Sequence, residues 1–435
     1  MTNNPFLLEL KLKQHTPIIH FQSDQEGATL RATEVKPKLD RFLIEHHFGG
    51  YQKFDEYSSF LIGKTQKDID QIKSEIDKLP NDGEKINYLK KQKLALDYKI
   101  SIWSPSSEKW MIFSNLATKK KKNGTVIRNN KNYILQHTDC TKILFKSPFF
   151  ANNQYFDKRD EPKFEWEKMK YGLYSNDLIN MKFKFSSTIL KKHIKQNIED
   201  FFIKENFGCR QNKGFGSFTI QEINKELINI NKNYFEKKLK KYNYIVLKLT
   251  RYGKNIQEIF KEIVNIYQNI KSIPGQNDSF LKEFVSESTI DSKNITWEKV
   301  AIKRQMYNNS RTKYMNAKEN ERYVRVLLGM AGHYEYQQKD IPINKINIKE
   351  ESGQIERFKS PITFKVFKGH IYITGNSVAK QIFDKMFLFE AEPKRPILKI
   401  KSPPNDVFDL PSFLADFANE YQDSVTNISE EDYES

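Results

Sequence analysis

The chain has 435 residues, 38% hydrophobic and 13% aromatic, with 32 Phe and 21 Tyr; that is enough apolar bulk for two or three folded cores and excludes a disordered chain. A formal net charge of +17 and a pI near 9.3 point to an anionic partner, nucleic acid first. Two cysteines, Cys140 and Cys209, cannot build a disulfide framework or a thiolate zinc site of their own, and no apolar run reaches the roughly 20 residues of a membrane span, so the expectation is a cytoplasmic protein with no membrane association, cofactor or metal.

In chain order, Leu7 to Lys13 alternates as a strand, Thr16-Pro17 breaks it, and Ile18 to Phe21 is extended again. Glu34 to His46 reads as a helix with Val35, Leu39, Phe42 and Leu43 on one face, and Pro37 falls in its first turn. Residues 68–100 read as an inserted helical hairpin, with Pro80-Asn81-Asp82-Gly83 at the turn. Lys119, Lys120, Lys121 and Lys122, followed by Asn123-Gly124, read as a basic hairpin tip able to touch RNA. Asn180 to Ser186 is a strand, and Ser187 or Thr188 caps a helix striped by Leu190, Ile194, Ile198, Phe201 and Phe202.

Residues 208–218, Gly-Cys-Arg-Gln-Asn-Lys-Gly-Phe-Gly-Ser-Phe, then link that helix to a strand at Phe218 to Ile220. Glycines let a backbone approach a ligand closely. Free amides of Gly208, Gly214 and Gly216, with Arg210 and Lys213, suit a phosphate backbone, and Phe215 suits a stacked base. Lys213-Gly214-Phe215-Gly216 fits the first four positions of the RNP1 pattern, but Ser217 and Ile220 stand where aromatics belong.

Downstream, Tyr242 to Thr250 reads as a strand and Ile256 to Ile270 as a helix. Residues 276–320 are polar and irregular. Pro361 to Phe367 and His370 to Thr374 form a hairpin around Lys368-Gly369, and Val378 to Phe387 reads as a helix. From Asn405 to Ser435 there are nine acids and no Lys or Arg, an acidic tail that solvates or covers a basic groove. The organisation expected is an N-terminal RNA-binding domain over 1–230, a second domain over 240–400 and the tail over 405–435.

Gly208-x-Arg210 with Lys213-Gly214-Phe215-Gly216 resembles the glycine-rich loop of the RAMP superfamily of CRISPR-associated proteins. His15-Thr16-Pro17-Ile18-Ile19, Gly27-Ala28-Thr29-Leu30-Arg31 and Arg357-Phe358-Lys359-Ser360-Pro361 resemble further segments of type III subunits. Ala28, Thr29 and Ala32 depart from the family's small hydroxyl pair and glycine. The resemblance implies an α+β fold of tandem ferredoxin-like βαββαβ domains. It also implies a role in antiviral defence, assembly with sister effector subunits, and a guide RNA held by the loop with help from Arg31, Arg357 and Lys359. Some members of the superfamily cut RNA without metal. That alternative would draw on His20 for acid–base work, or on Asp24 in the loop after the first strand; the main reading assigns no catalytic residue. A purely structural or RRM-like role is the remaining alternative.

Overall fold

The computed structural model describes residues 4–20, 30–92, 94–104, 108–112, 126–129, 132–135, 142–144, 171–271, 279–290, 292–306, 312–330, 332–335, 345–355, 357–376, 378–392 and 395–429. The fold is mixed α+β, built largely on antiparallel sheets. The chain divides into two compact units, one of Met1–Tyr242 with Lys365–Gly369 and one of Asn243–Phe364 with His370–Ser435.

The first unit begins with strand β1 (Leu7–Gln14), which turns Leu8, Leu10 and Leu12 into the core. Helix α1 (Ala32–Phe42) follows and continues as one π turn over Leu43–His47. It starts two residues earlier than the apolar spacing predicts, so Pro37 lies inside it rather than in its first turn. Helices α2 (Gln66–Asp77) and α3 (Asp82–Lys91) are the predicted hairpin. Thr65 and Asp68 form a capping box on the first, and Asn81 caps the second.

The second arm stops at Lys91, however. Residues expected in it form strand β2 (Tyr98–Trp103), which pairs antiparallel with β3 (Ile179–Phe185). Ile69, Ile72, Leu89, Leu96 and Tyr98 all lie in the core. The hairpin is therefore shorter than expected, ending at Lys91, and its arms pack Ile69, Ile72 and Leu89 against the core of the first unit. The cause is a change of period: Tyr98, Ile100 and Ile102 alternate in twos, while their spacing from Leu89 and Leu96 also suits a helix.

Helix α4 (Thr188–Lys204) is capped by Ser187, whose Oγ accepts from Leu190 N at 3.3 Å, and buries the predicted stripe. Strands β4 (Phe218–Ile223) and β5 (Glu226–Leu227) complete a sheet of order β5-β4-β1-β3-β2, and helix α5 (Lys232–Lys241) closes the unit. Between β2 and β3, Val126–Asn129 pairs with Asn132–Leu135. The four lysines 119–122 and Asn123-Gly124, expected at a hairpin tip, lie outside the described residues.

The second unit runs through β6 (Ile245–Leu249), helix α6 (Ile256–Lys271), β7 (Lys345–Glu350), β8 (Ile362–Phe367), β9 (His370–Gly375), β10 (Met386–Glu392), β11 (Ile397–Lys401), helix α7 (Leu410–Glu420) and β12 (Val425–Asn427). One sheet has the order β8-β9-β6-β12 and a second contains β11-β10-β7. The β8–β9 turn sits on Lys368 (φ 47°) and Gly369 (φ 83°), as a two-residue hairpin requires.

Two expectations fail here. The segment 378–387 is no helix: a short 3₁₀ turn over Lys380–Ile382 leads into β10, whose Phe387, Phe389 and Ala391 alternate into the core. Nor do residues 405–429 form a solvating tail. Asp409 caps α7 by accepting from Ser412 N at 3.0 Å, and Phe413, Leu414 and Phe417 are fully buried. Strand β12 then pairs antiparallel with β6. Asp416 and Glu420 occupy the polar side of this amphipathic helix. Phe413→Ala should therefore destabilise the chain by about 3–5 kcal/mol in urea unfolding. A chain ending at residue 404 that melted like the full chain would contradict this packing.

Candidate nucleic-acid interface

Beyond β1 the chain breaks at Pro17 and threads beneath the glycine-rich loop. His15 N donates to Ser217 O at 2.8 Å, Gly216 N to Pro17 O at 2.9 Å and Cys209 N to Ile19 O at 2.6 Å. The Thr16 hydroxyl donates to Gly214 O at 2.6 Å and accepts from Ser217 N at 3.0 Å. Two sequence motifs about 200 residues apart are thus zipped together.

The glycines answer to that closeness. Gly216 has φ +67°, and a Cβ there would lie 2.0 Å from Phe207 O. Gly208 has φ +80°, and its Cβ would lie 2.6 Å from Ile18 Cγ1 and from Ile19 O. Their small size serves the protein's own backbone. This corrects the expectation of an open amide cradle: the N–H groups of Cys209, Lys213, Gly214, Gly216 and Ser217 all donate to acceptors within the protein. Phe215 is also corrected. It is 0% exposed, so its ring is a core group closed to a base.

The outer arc of the loop, residues 208–213, is half-buried and carries Arg210 and Lys213. Arg210 adopts φ +57°, and burial pulls its guanidinium down to about 10. Helix α1 braces the arc. Lys38 Nζ donates to Asn206 O at 2.5 Å, pairs with Glu205 at 3.3 Å, and reaches the side-chain oxygen of Gln211. His20 Nδ1 lies 3.2 Å from Glu34 Oε1 in the first turn of α1, and Arg31 stands half-buried at the N-cap. The three motifs at 15–19, at the start of α1 and at 208–217 therefore meet in one place.

His20 is 3% exposed and engaged with Glu34, so its ring is closed to a phosphodiester. Asp24 lies outside the described residues. Arg357 and Lys359 are exposed in the second unit, where the intervening Phe358 O accepts from Met330 N at 3.0 Å.

Lys365, which the sequence reading passed over, supports the site from within. Lys365, 1% exposed, donates to Phe202 O at 2.8 Å and Glu205 O at 2.7 Å, satisfying carbonyls at the C-terminal end of α4; burial draws its pKa down to about 7. His15 accepts from Lys368 N at Nδ1 (3.3 Å), so Nε2–H donates to Thr219 Oγ1 (2.8 Å). Burial first, then Lys365, Lys13 and Lys368, push its pKa down to about 3. His46 falls to about 4, through burial and then Lys204.

A model of the Cmr1 N-terminal domain matches residues 6–273, and one of the Cmr1 C-terminal domain matches residues 276–434. No curated protein matches the chain. Among solved structures, a chain described as "Crystal structure of Cmr1 from Pyrococcus furiosus (apo form)" is 12% identical with a TM-score of 0.35, covering 97% of this chain and 98% of that one. A chain of "Cryo-EM structure of the Type III-B Cmr-beta bound to cognate target RNA" is also 12% identical at 0.35, over 85% of this chain and 94% of that one. The two family models put the protein in the RAMP-like, CRISPR-associated class. With both family models together spanning nearly its whole length, it belongs to the Cmr1 family.

Gly216→Ala should cost on the order of 1–3 kcal/mol from backbone strain alone, with the clash on Phe207 added, and lower the urea midpoint; an unchanged midpoint would contradict the close approach. His15 and His46 have native pKa values below the unfolded 6.5, so the unfolded chain binds more protons as pH falls. Their stabilisation is whole above pH 6.5 and drains away towards pH 4 and then 3. The urea midpoint should drop between pH 7 and 5, and the drop should shrink in the His15→Gln/His46→Gln variant.

Proposed function

We propose that this chain is an RNA-contacting subunit of a type III-B CRISPR effector ribonucleoprotein. Membership of the Cmr1 family supports the subunit role. The strand orders support a tandem ferredoxin-like reading. In the first unit β1-α1-β2-β3-α4-β4 is arranged β4-β1-β3-β2, and in the second β6-α6-β8-β9-α7-β12 is arranged β8-β9-β6-β12. Each is a βαββαβ unit with the first strand beside the third and fourth.

The observation that carries the RNA contact is the convergence at the glycine loop. Here the loop does not cradle phosphate with its amides. It acts as a rigid frame, pinned to residues 15–19 and braced by Lys38, that presents Arg210 and Lys213 on its half-exposed arc near the start of α1. Cations held by a stiff frame lose little entropy when they pair with phosphate. Guide or target strands both offer that chemistry. Burial of His20 removes support from the nuclease alternative that would use it.

The Arg210→Ala/Lys213→Ala variant should fold as the parent does and bind single-stranded RNA more weakly. Its slope of log K against log salt should be shallower by about 1.4, for two lost phosphate contacts. A parental affinity and slope, read by filter retention across a salt series, would refute the assignment.

A further inference from the structure

A different face of α1 borders a cavity of about 630 Å³ that lies wholly within the first unit, between α1, α3 and the approach to β2. Pro37, Ile44, Leu89 and Ile100 supply apolar wall. Polar groups gather around Tyr51: Lys90 Nζ stands 5.3 Å from its ring centre, and Arg41 hydrogen-bonds its hydroxyl. Arg41 and Lys90 are exposed.

Two acids lie near. Asp40 is 5% exposed and already accepts from Tyr98 Oη at 2.6 Å, Lys36 Nζ at 3.1 Å and Leu96 N at 3.4 Å, so it has little left for a ligand. Glu45 faces Tyr51. Lys36 is paired with Asp40, which leaves Arg41 and Lys90 as the other cations of the lining.

An apolar wall, one aromatic ring and two cations along the same edge select an occupant with a flat apolar body and an anionic end. A bare inorganic anion would leave the wall wet, and a neutral apolar molecule would desolvate the cations without pairing them. The volume falls in the range of ordinary small-molecule sites. We propose that this cavity takes one nucleotide, with its base against Tyr51 and the apolar wall and its phosphate on Arg41 and Lys90. The occupant is a free nucleotide or one residue of a single-stranded RNA, and neither Arg210 nor Lys213 takes part.

The test is calorimetric titration of the full chain with AMP, GMP, CMP and UMP, with inorganic phosphate, and with pentauridylate. At least one monophosphate should bind saturably and more tightly than phosphate. Arg41→Ala and Lys90→Ala should each weaken it about tenfold, as expected for a lost charge-assisted bond. Ala95→Trp, which fills the cavity, should abolish binding. Because that variant can misfold, the two surface variants carry the test if its melting curve changes. Binding of monophosphates alone makes the ligand a free nucleotide; binding of pentauridylate with the same sensitivity to Arg41 and Lys90 makes it a residue of RNA. Absence of both, or binding indifferent to all three substitutions, overturns the proposal, including the case where the cavity anchors a side chain of a protein partner. Arg210→Ala/Lys213→Ala should leave monophosphate binding unchanged, so failure of the loop assignment and failure of this one are read separately.

Discussion

The pairing of Thr16 with the 214–217 turn is the constraint on which the first unit depends. One hydroxyl donates to Gly214 O and accepts from Ser217 N, while flanking amides on both strands close the remaining bonds. These groups are buried, and a buried donor or acceptor left unmade costs about 1–3 kcal/mol. The two strands therefore hold each other in a single register. The positive φ of Gly208 and Gly216 follows from that register, as does the position of the arc bearing Arg210 and Lys213.

Around this zipper lies a set of basic groups whose charges the fold uses internally. Lys38 binds the carbonyl and carboxylate next to the loop, and Lys365 closes the end of α4. His15 is kept neutral between Thr219 and the backbone of Lys368. The net charge of +17 is thus an imperfect guide to the binding surface. Some of the cations nearest the loop act as struts, and sequence alone does not separate a strut from a contact.

What was legible in the sequence was what short-range periodicity encodes. The alternation of β1, the stripe and cap of α4 and the Lys368-Gly369 turn were all readable, because each depends on residues within a few positions of one another. The glycine loop was legible as special but not as closed: the amides of Cys209, Gly216 and Ser217 are consumed by residues 16–19, about 200 positions away. Phe215 shows the same limit, since an aromatic between two glycines reads alike whether it faces a base or the core. Residues 405–429 misled through composition. A run of acids with no Lys or Arg outweighed the apolar face of α7, Phe413, Leu414 and Phe417.

Lys365 has a consequence for how the molecule is made. The carbonyls of Phe202 and Glu205 lack their donor until a residue about 160 positions further along has left the ribosome. The N-terminal half therefore emerges as an unfinished body, and vectorial synthesis alone does not complete it. Its final seal arrives only when most of the message has been read, which couples the maturation of the frame around the glycine loop to nearly full-length translation.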